Sequence, residues 1–314
     1  MNRIGAVCYS YQYSIGLFAY NQRPGERMDC LGFVSATREA GGNAAQLFHS
    51  MLDGVDADYL ARLRAHAADL DVALEVHGGA GQRDDFEVTL QQAAALGVTV
   101  VGCSFGMLTR PDKIGTLAEW DEHLDACRTR YDQLLLAAAP LGISLGVENH
   151  LDFTVTELRD MVEGANSPNA GIILDIGNTI GTLDDPVEAA DILGPYTIAT
   201  HYKDFAIEEV TRGFRFTMVP LGAGSLNLPA ITEKLVQHIG PEVNLAIEML
   251  NGQQFEVKWL EDRFWEPYRD KPAREVAATL RHIRGKAIDI DEFLPVDEVD
   301  KLDHEAHLAL EQTR

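Results

Sequence analysis

Short apolar or β-branched runs alternate along this chain with longer stretches in which apolar residues recur every three or four positions. Repeated strand–helix units produce that alternation. The short runs predict strands at Ile4–Tyr9, Ala44–Phe48, Val72–Val76 and Val98–Ser104, then at Ile143–Glu148, Gly171–Asp175, Thr197–His201 and Asn244–Glu248. The longer stretches predict helices over Asp58–Ala68, Asp84–Ala95, Leu117–Ala139, Thr156–Gly164, Pro186–Leu193 and Leu228–Ile239. Local chemistry marks two of the starts. Thr154 and Glu157 have capping-box spacing, and Asp185 before Pro186 suits an N-cap with proline at the first helical position. Strands that each lead into a helix predict an α/β fold closed as a (β/α)8 TIM barrel, because right-handed crossovers favour closure. An open doubly wound sheet requires a glycine-rich fingerprint after its first strand, and Cys8-Tyr-Ser-Tyr-Gln12 carries none.

The barrel is expected over residues 1–287, followed by an acidic C-terminal extension, 288–314. That extension reads as a docked helix, a partner-binding arm or a mobile tail. The stretch from Tyr202 to Asn227 is too long for a plain connector and predicts a loop over the barrel mouth, with Arg212, Arg215 and Pro220-Leu-Gly-Ala-Gly224 in it. An aromatic stretch, Trp259 to Tyr268, and a helix near Ala273–Arg284 follow the last strand.

Composition narrows the possibilities. The 314 residues suit one α/β barrel, and an apolar fraction of 46% supplies a large core. Acidic residues number 49 against 26 basic, a formal net charge of −23, which repels phosphate backbones and anionic lipid and so argues against nucleic acid or membrane partners. Cys8, Cys30, Cys103 and Cys127 lack zinc or redox spacing and read as reduced thiols. The N-terminus carries no signal-peptide pattern, and no apolar run reaches the roughly 20 residues of a membrane span. A cytoplasmic protein is expected.

Candidate chemistry lies at strand ends. Glu148, Asp175, His201 and Glu248 close the runs SLGVE, IILD, IATH and LAIE. An ionisable group ending an apolar run needs a partner, since packing alone does not compensate a buried charge. In a barrel those ends converge on one rim, where active sites are built. Three carboxylates brought together repel unless a cation lies between them. One imidazole plus three carboxylates suits one divalent ion, Mn2+ first, with Mg2+ or Co2+ as alternatives. Singly, each residue has a plainer reading as a helix cap or a satisfied core group.

The stretches Gly146-Val-Glu-Asn-His150, Ser167-Pro-Asn-Ala-Gly-Ile-Ile-Leu-Asp-Ile-Gly-Asn178, Thr200-His-Tyr-Lys-Asp204 and Val219-Pro-Leu-Gly-Ala-Gly224 resemble the xylose-isomerase-like superfamily over about residues 1–285. That group includes sugar isomerases and epimerases, inosose dehydratases, the metal-bearing subunit of C-glycoside deglycosidases and metal-dependent apurinic endonucleases. The resemblance implies a barrel with one metal held by Glu148, Asp175, His201 and Glu248. Departures from the family pattern count too. Three-metal endonucleases carry a His three positions after the strand-six Asp, where Asn178 stands here, and an Asp-x-His pair after strand seven, whereas no His occurs between Tyr202 and Asn227. Ketose 3-epimerases tend to have an Arg at the position of Ile207, and Gly222-Ala-Gly224 with Asn227 lacks two carboxylates common in relatives.

His150, two residues after Glu148, shares its face in extended geometry and is a candidate general acid or base, with a ligand-orienting loop residue as the alternative. Glu148 and Glu248 complete the candidate catalytic set. His77, His49, Lys203 and Arg215 are candidate substrate-binding residues, each with a structural alternative. A metal on a ketone and its neighbouring hydroxyl would support enolisation of an oxidised sugar. Two outcomes follow: reprotonation gives an isomerase or epimerase, and expulsion of a β group gives a lyase. The expectation leans to β-elimination from a 3-oxo-glycoside, with Trp259–Tyr268 as a surface for a flat aglycone. Another reading makes the chain an oligomer or one subunit that needs a smaller partner, docked through the acidic tail or Phe264–Trp265. Gly222-Ala-Gly224 is also weighed as a phosphate cradle.

Overall fold

A computed structural model describes residues 3–17, 25–81, 84–106, 110–240, 244–285 and 296–313. The strands are β1 (Ile4–Val7), β2 (Ala44–Phe48), β3 (Ala73–Gly79), β4 (Val100–Ser104), β5 (Ser144–Glu148), β6 (Ala170–Asp175), β7 (Thr197–Tyr202), β8 (Asp204–Val210), β9 (Gly213–Val219), β10 (Leu245–Ile247) and β11 (Gln254–Val257). Parallel pairing closes a ring in the order β1-β10-β7-β6-β5-β4-β3-β2, the (β/α)8 barrel expected from the alternation. Both faces of these strands are covered, so they run apolar without strict alternation; Leu145, Val147, Ile172 and Leu174 are all buried. The last strand ends at Ile247, one residue before Glu248. Ser10 clamps this join: its Oγ donates to the carbonyl of Ile247 at 3.0 Å and accepts from Met249 N at 3.1 Å.

The main helices are α1 (Cys30–Glu39), α2 (Ala57–Asp69), α3 (Phe86–Leu96), α4 (Leu117–Ala138), α5 (Val155–Ala165), α6 (Pro186–Leu193), α7 (Leu228–Ile239), α8 (Ala273–Gly285) and α9 (His304–Gln312). Helix α5 starts on the capping box, with Thr154 accepting from Glu157 N and the Glu157 side chain accepting from Thr154 N. Asp185 accepts from Val187 N and Glu188 N to start α6. Helix α1 is absent from the sequence expectation; Asp29 caps it and Phe33, Val34 and Thr37 pack inward.

The segment after β7 is a hairpin rather than a loop. β8 and β9 pair antiparallel about a two-residue turn, with Val210 opposite Gly213, and β11 adds to β9. One face buries Phe205, Ile207, Phe216 and Met218. On the other face Arg215 lies opposite Glu208 and Glu256 and pairs with both, at 3.0 and 3.3 Å.

The aromatic stretch is an internal cluster, not an open platform. Phe264 and Tyr268 are buried and stacked 5.1 Å apart. Trp265 Nε1 donates to the Trp259 carbonyl, and Trp259 stacks on Phe214. Arg110, only 1% exposed, lies 3.5 Å over Trp120 and 4.2 Å over Tyr268, donates to the carbonyls of Asp152 and Pro267, and pairs with Glu157. It thereby ties this stretch to the start of α5.

The expected domain boundary at 287 lies outside the described residues. Beyond it, α9 docks on the turn after β1. Glu311 accepts from Tyr13 N at 2.6 Å and from Ser14 Oγ at 2.6 Å, and the Tyr13 ring stacks on His307 at 4.1 Å. The four cysteines are free and buried. Among the described residues no helix is long and apolar enough to cross a membrane.

Candidate metal centre

Four donors meet at the C-terminal rim of the barrel. Glu148, Asp175, His201 and Glu248 each offer an atom within 4.8 Å of the others, and all four residues are buried. Strand register accounts for part of this: Asp175 pairs directly with His201 across β6 and β7, while β5 and β10 bring in the glutamates from either side. His201 Nδ1 lies 2.9 Å from Glu148 Oε1 and 3.1 Å from Glu248 Oε2. Lys203 reaches the same place, with Nζ 2.5 Å from Asp175 Oδ2 and 3.1 Å from Glu248 Oε2. Asp175 is held by Asn178, whose Nδ2 donates to Oδ2 at 2.6 Å, and by Asn149, whose side chain bridges the Asp175 backbone N–H and carbonyl.

The charges are strongly coupled. Burial pushes the Asp175 carboxyl up to about 7; Lys203 offsets part of that rise, and the two glutamates add to it. Burial also opposes charge on Glu248, but Lys203 and His201 outweigh it and hold the group at about 2. Glu148 is lowered as well, with burial overcome by His77 and His201. For His201 burial disfavours the cation, yet Glu148 and Glu248 raise it to about 10. This is a pocket that demands positive charge. The donor chemistry, three carboxylate oxygens and one imidazole nitrogen, fits a divalent cation.

His77 and His150 flank the cluster. His77, on β3, places Nε2 3.1 Å from Glu148 Oε2 and its ring centroid 5.4 Å from that of His201. A Cβ at position 102 would collide with the His77 ring and with Ile173, so Gly102 on β4 is what lets this imidazole into the barrel. His77, Glu148 and His201 also form a metal-competent trio of their own. His150 is lowered below the ordinary imidazole value by burial, against the opposing pull of Glu148, and its Nδ1 is buried without a hydrogen-bond partner in the chain. His49 follows β2 at the start of a 3-10 turn, half-buried against Phe48.

Arg215 is not part of this cluster; its two partners are the hairpin acids. Asp204 is likewise structural. Its carboxylate accepts from the backbone N–H of Phe205, Gly222, Gly224 and Leu226 at 2.9 to 3.1 Å. The Gly222-Ala-Gly224 turn therefore wraps a side chain of its own chain, and a Cβ at 224 would strike that carboxylate. The phosphate-cradle expectation is displaced by this contact.

Two polar residues escaped sequence reasoning. Gln46, on β2, places Oε1 2.8 Å from His201 Nε2, and its Nε2 donates to Glu75 Oε2 at 3.1 Å. Glu75, on β3, also accepts from Asn244 Nδ2 at 2.6 Å. The available signal was a polar side chain inside each of the apolar runs AAQLF and ALEVH.

The barrel, with its ring of acids and imidazoles at the strand ends, defines the class. The xylose isomerase-like TIM-barrel family model matches residues 34–284, and the chain belongs to that family. It is 26% identical over 279 residues to the 3-oxo-isoapionate decarboxylase of Pectobacterium atrosepticum, covering 86% of this chain and 93% of that protein. Among solved structures it resembles the 3-keto-D-glucoside 4-epimerase of E. coli in its apo form, with TM-score 0.59 and 14% identity over 91% of this chain and 100% of that one. It also resembles a xylose isomerase-like TIM barrel protein from Mycobacterium smegmatis in complex with magnesium, with TM-score 0.59 and 15% identity over 91% and 97% of the two chains. These structural likenesses concern the fold.

Proposed function

We propose that this protein is a divalent-metal-dependent lyase that generates an enediolate from an oxidised sugar beside its carbonyl. The observation that carries the reading is the buried meeting of Glu148, Asp175, His201 and Glu248 at the barrel mouth. These four would hold the ion, Mn2+ first and Mg2+ or Co2+ otherwise. When bound, the ion supplies Lewis-acid polarisation of a carbonyl and stabilises negative charge developing on its oxygen.

The remaining work falls to the chain's own side chains. His150 is neutral near pH 7 because burial lowers it, as a general base must be. It takes the proton from the carbon next to the carbonyl, and the C–H electron pair becomes the enediolate. Expulsion of the group β to the carbonyl completes an elimination, with the proton on His150 passing to the leaving group. The Lys203 ammonium and the His77 and His49 rings are the groups that would hold substrate hydroxyl or carboxylate oxygens.

A second reading is favoured by the similarity to 3-oxo-isoapionate decarboxylase. A 3-oxo sugar acid would lose CO2, the C–C electron pair would stay as the same kind of enediolate, and a proton delivered through His150 would quench the carbon. Packing of Trp259–Tyr268 into the interior removes the aglycone surface that favoured a glycoside, so the sugar acid is the first substrate class to try.

The test incubates the metal-loaded enzyme in D2O with a 3-oxo sugar acid, a 3-oxo-C-glucoside and an unsubstituted keto sugar. CO2 or aglycone release supports the lyase and distinguishes its two forms. Keto-sugar interconversion with no release moves the assignment to an isomerase or epimerase. No release, no interconversion and no deuterium uptake with any of the three refutes enolisation. Turnover that appears only with a copurifying smaller chain would make this barrel the metal-bearing subunit of a complex.

A further inference from the structure

The relay behind His201 has a direction built into it. Both Glu75 oxygens receive amide N–H groups, one from Asn244 and one from Gln46. With its amino group turned to Glu75, Gln46 presents its carbonyl oxygen to His201 Nε2 at 2.8 Å. A carbonyl oxygen only accepts, so the proton belongs on Nε2. The other ring nitrogen, Nδ1, faces Glu148 and Glu248 at 2.9 and 3.1 Å. Gln46 and Glu75 are 3% and 5% exposed, so water does not compete for these bonds.

We infer that Gln46 and Glu75 are positioning residues that set the tautomer of His201, keeping hydrogen on Nε2 and aiming the Nδ1 lone pair at the cation. This rests on the metal-site reading above. The chain Asn244→Glu75←Gln46←His201 crosses the barrel from β2 and β3 to β7, and it joins residues as far apart as 169 positions. Burial pushes the Glu75 carboxyl up and the amide bonds from Asn244 and Gln46 oppose that rise; hydrogen-bonded partners behind metal-bound histidines fix the ring's orientation and tautomer elsewhere.

Three variants test the direction of the relay. Gln46→Met removes the acceptor, and Glu75→Gln removes the group that orients Gln46. Each should weaken Mn2+ binding, read as free Mn2+ by electron paramagnetic resonance, by about 10- to 100-fold. The exchange Gln46→Glu with Glu75→Gln preserves the polarity, because the new carboxylate accepts from both His201 and the new amide. It should recover wild-type affinity, which a purely packing role would not predict. In Mg2+-loaded wild-type protein, 15N spectra should show His201 protonated on Nε2. Wild-type affinity in folded Gln46→Met and Glu75→Gln overturns the inference, as does failed recovery in a folded exchange variant. If the Met variant does not fold, hydrogen found on Nδ1 in the Mg2+-loaded wild type overturns it independently. Asp175→Ala separates the two levels: if it binds Mn2+ as the wild type does, the metal site itself is wrong and the relay falls with it. If it loses the ion while Gln46→Met keeps it, only the relay is wrong.

Discussion

Replacing Lys203 with Met tests whether its ammonium and a divalent ion neutralise the same carboxylates. Lys203 is 4% exposed, and its Nζ lies 2.5 Å from Asp175 and 3.1 Å from Glu248. Without it, three buried carboxylates face one another with His201 as the nearest remaining cation. Truncating one member of a buried pair costs about 3–5 kcal/mol. The lower end applies here, because burial already pushes Asp175 up to about 7 and the loss of Lys203 would let it take up a proton. About 3 kcal/mol corresponds to a fall of roughly 4–5 °C in melting temperature for a chain of this size. A native-state ligand at a thousandfold excess over its Kd returns about 4 kcal/mol. Lys203→Met should therefore melt well below the wild type in EDTA and gain more from saturating Mn2+ than the wild type does. Circular dichroism melts of both proteins, with chelator and with Mn2+, measure all four points. Equal melting in EDTA, or equal gains from Mn2+, would refute the shared-charge argument.

Other expectations follow from single side chains. Burial raises the Asp152 carboxyl to about 7, so the native state holds that proton more tightly than the unfolded chain. This contribution is fully present below the unfolded value of about 4 and is lost as pH rises through about 7, a swing on the order of 4 kcal/mol. Asp152→Asn should flatten the fall in melting temperature between pH 5 and about 8, and an unchanged slope would contradict the assignment. His150→Gln should reduce turnover by about 10²- to 10⁴-fold while Mn2+ titration shows unaltered affinity; lost ion binding would make His150 a ligand or a support for one. Arg110→Met removes the bonds to Asp152 and Pro267 and the pair with Glu157. It should destabilise by about 3 kcal/mol, and a urea melt matching the wild type would show that the stacked guanidinium contributes nothing net.

The barrel was legible because strand and helix periods differ, and the rim acids were legible because each ends an apolar run. Glu148, Asp175 and His201 close β5, β6 and, within one residue, β7, as the pattern predicts. The hairpin was missed although its signal is present. Phe214, Phe216 and Met218 alternate with Arg215 and Thr217 after the polar Thr211-Arg212, and Phe205 and Ile207 keep the same spacing of two before it. A long-loop reading overlooked that period of two. The relay partners Gln46 and Glu75 and the contact of His77 with Glu148 were beyond reach for a different reason. Which interior side chains touch across a closed barrel depends on strand stagger, and local periodicity does not encode it. Arg215 illustrates the reverse error, since a lone arginine in a supposed lid is matched by cross-strand acids once the hairpin pairs.

The central claim is that later-strand acids and one imidazole share a cation, and the metal content of the purified protein tests it most directly. Inductively coupled plasma analysis of wild type, Asp175→Ala and His201→Ala should find close to one divalent ion per wild-type chain, little in either variant, and turnover lost with the ion. A wild type that works on its sugar after exhaustive chelation, with no ion bound, would contradict the account.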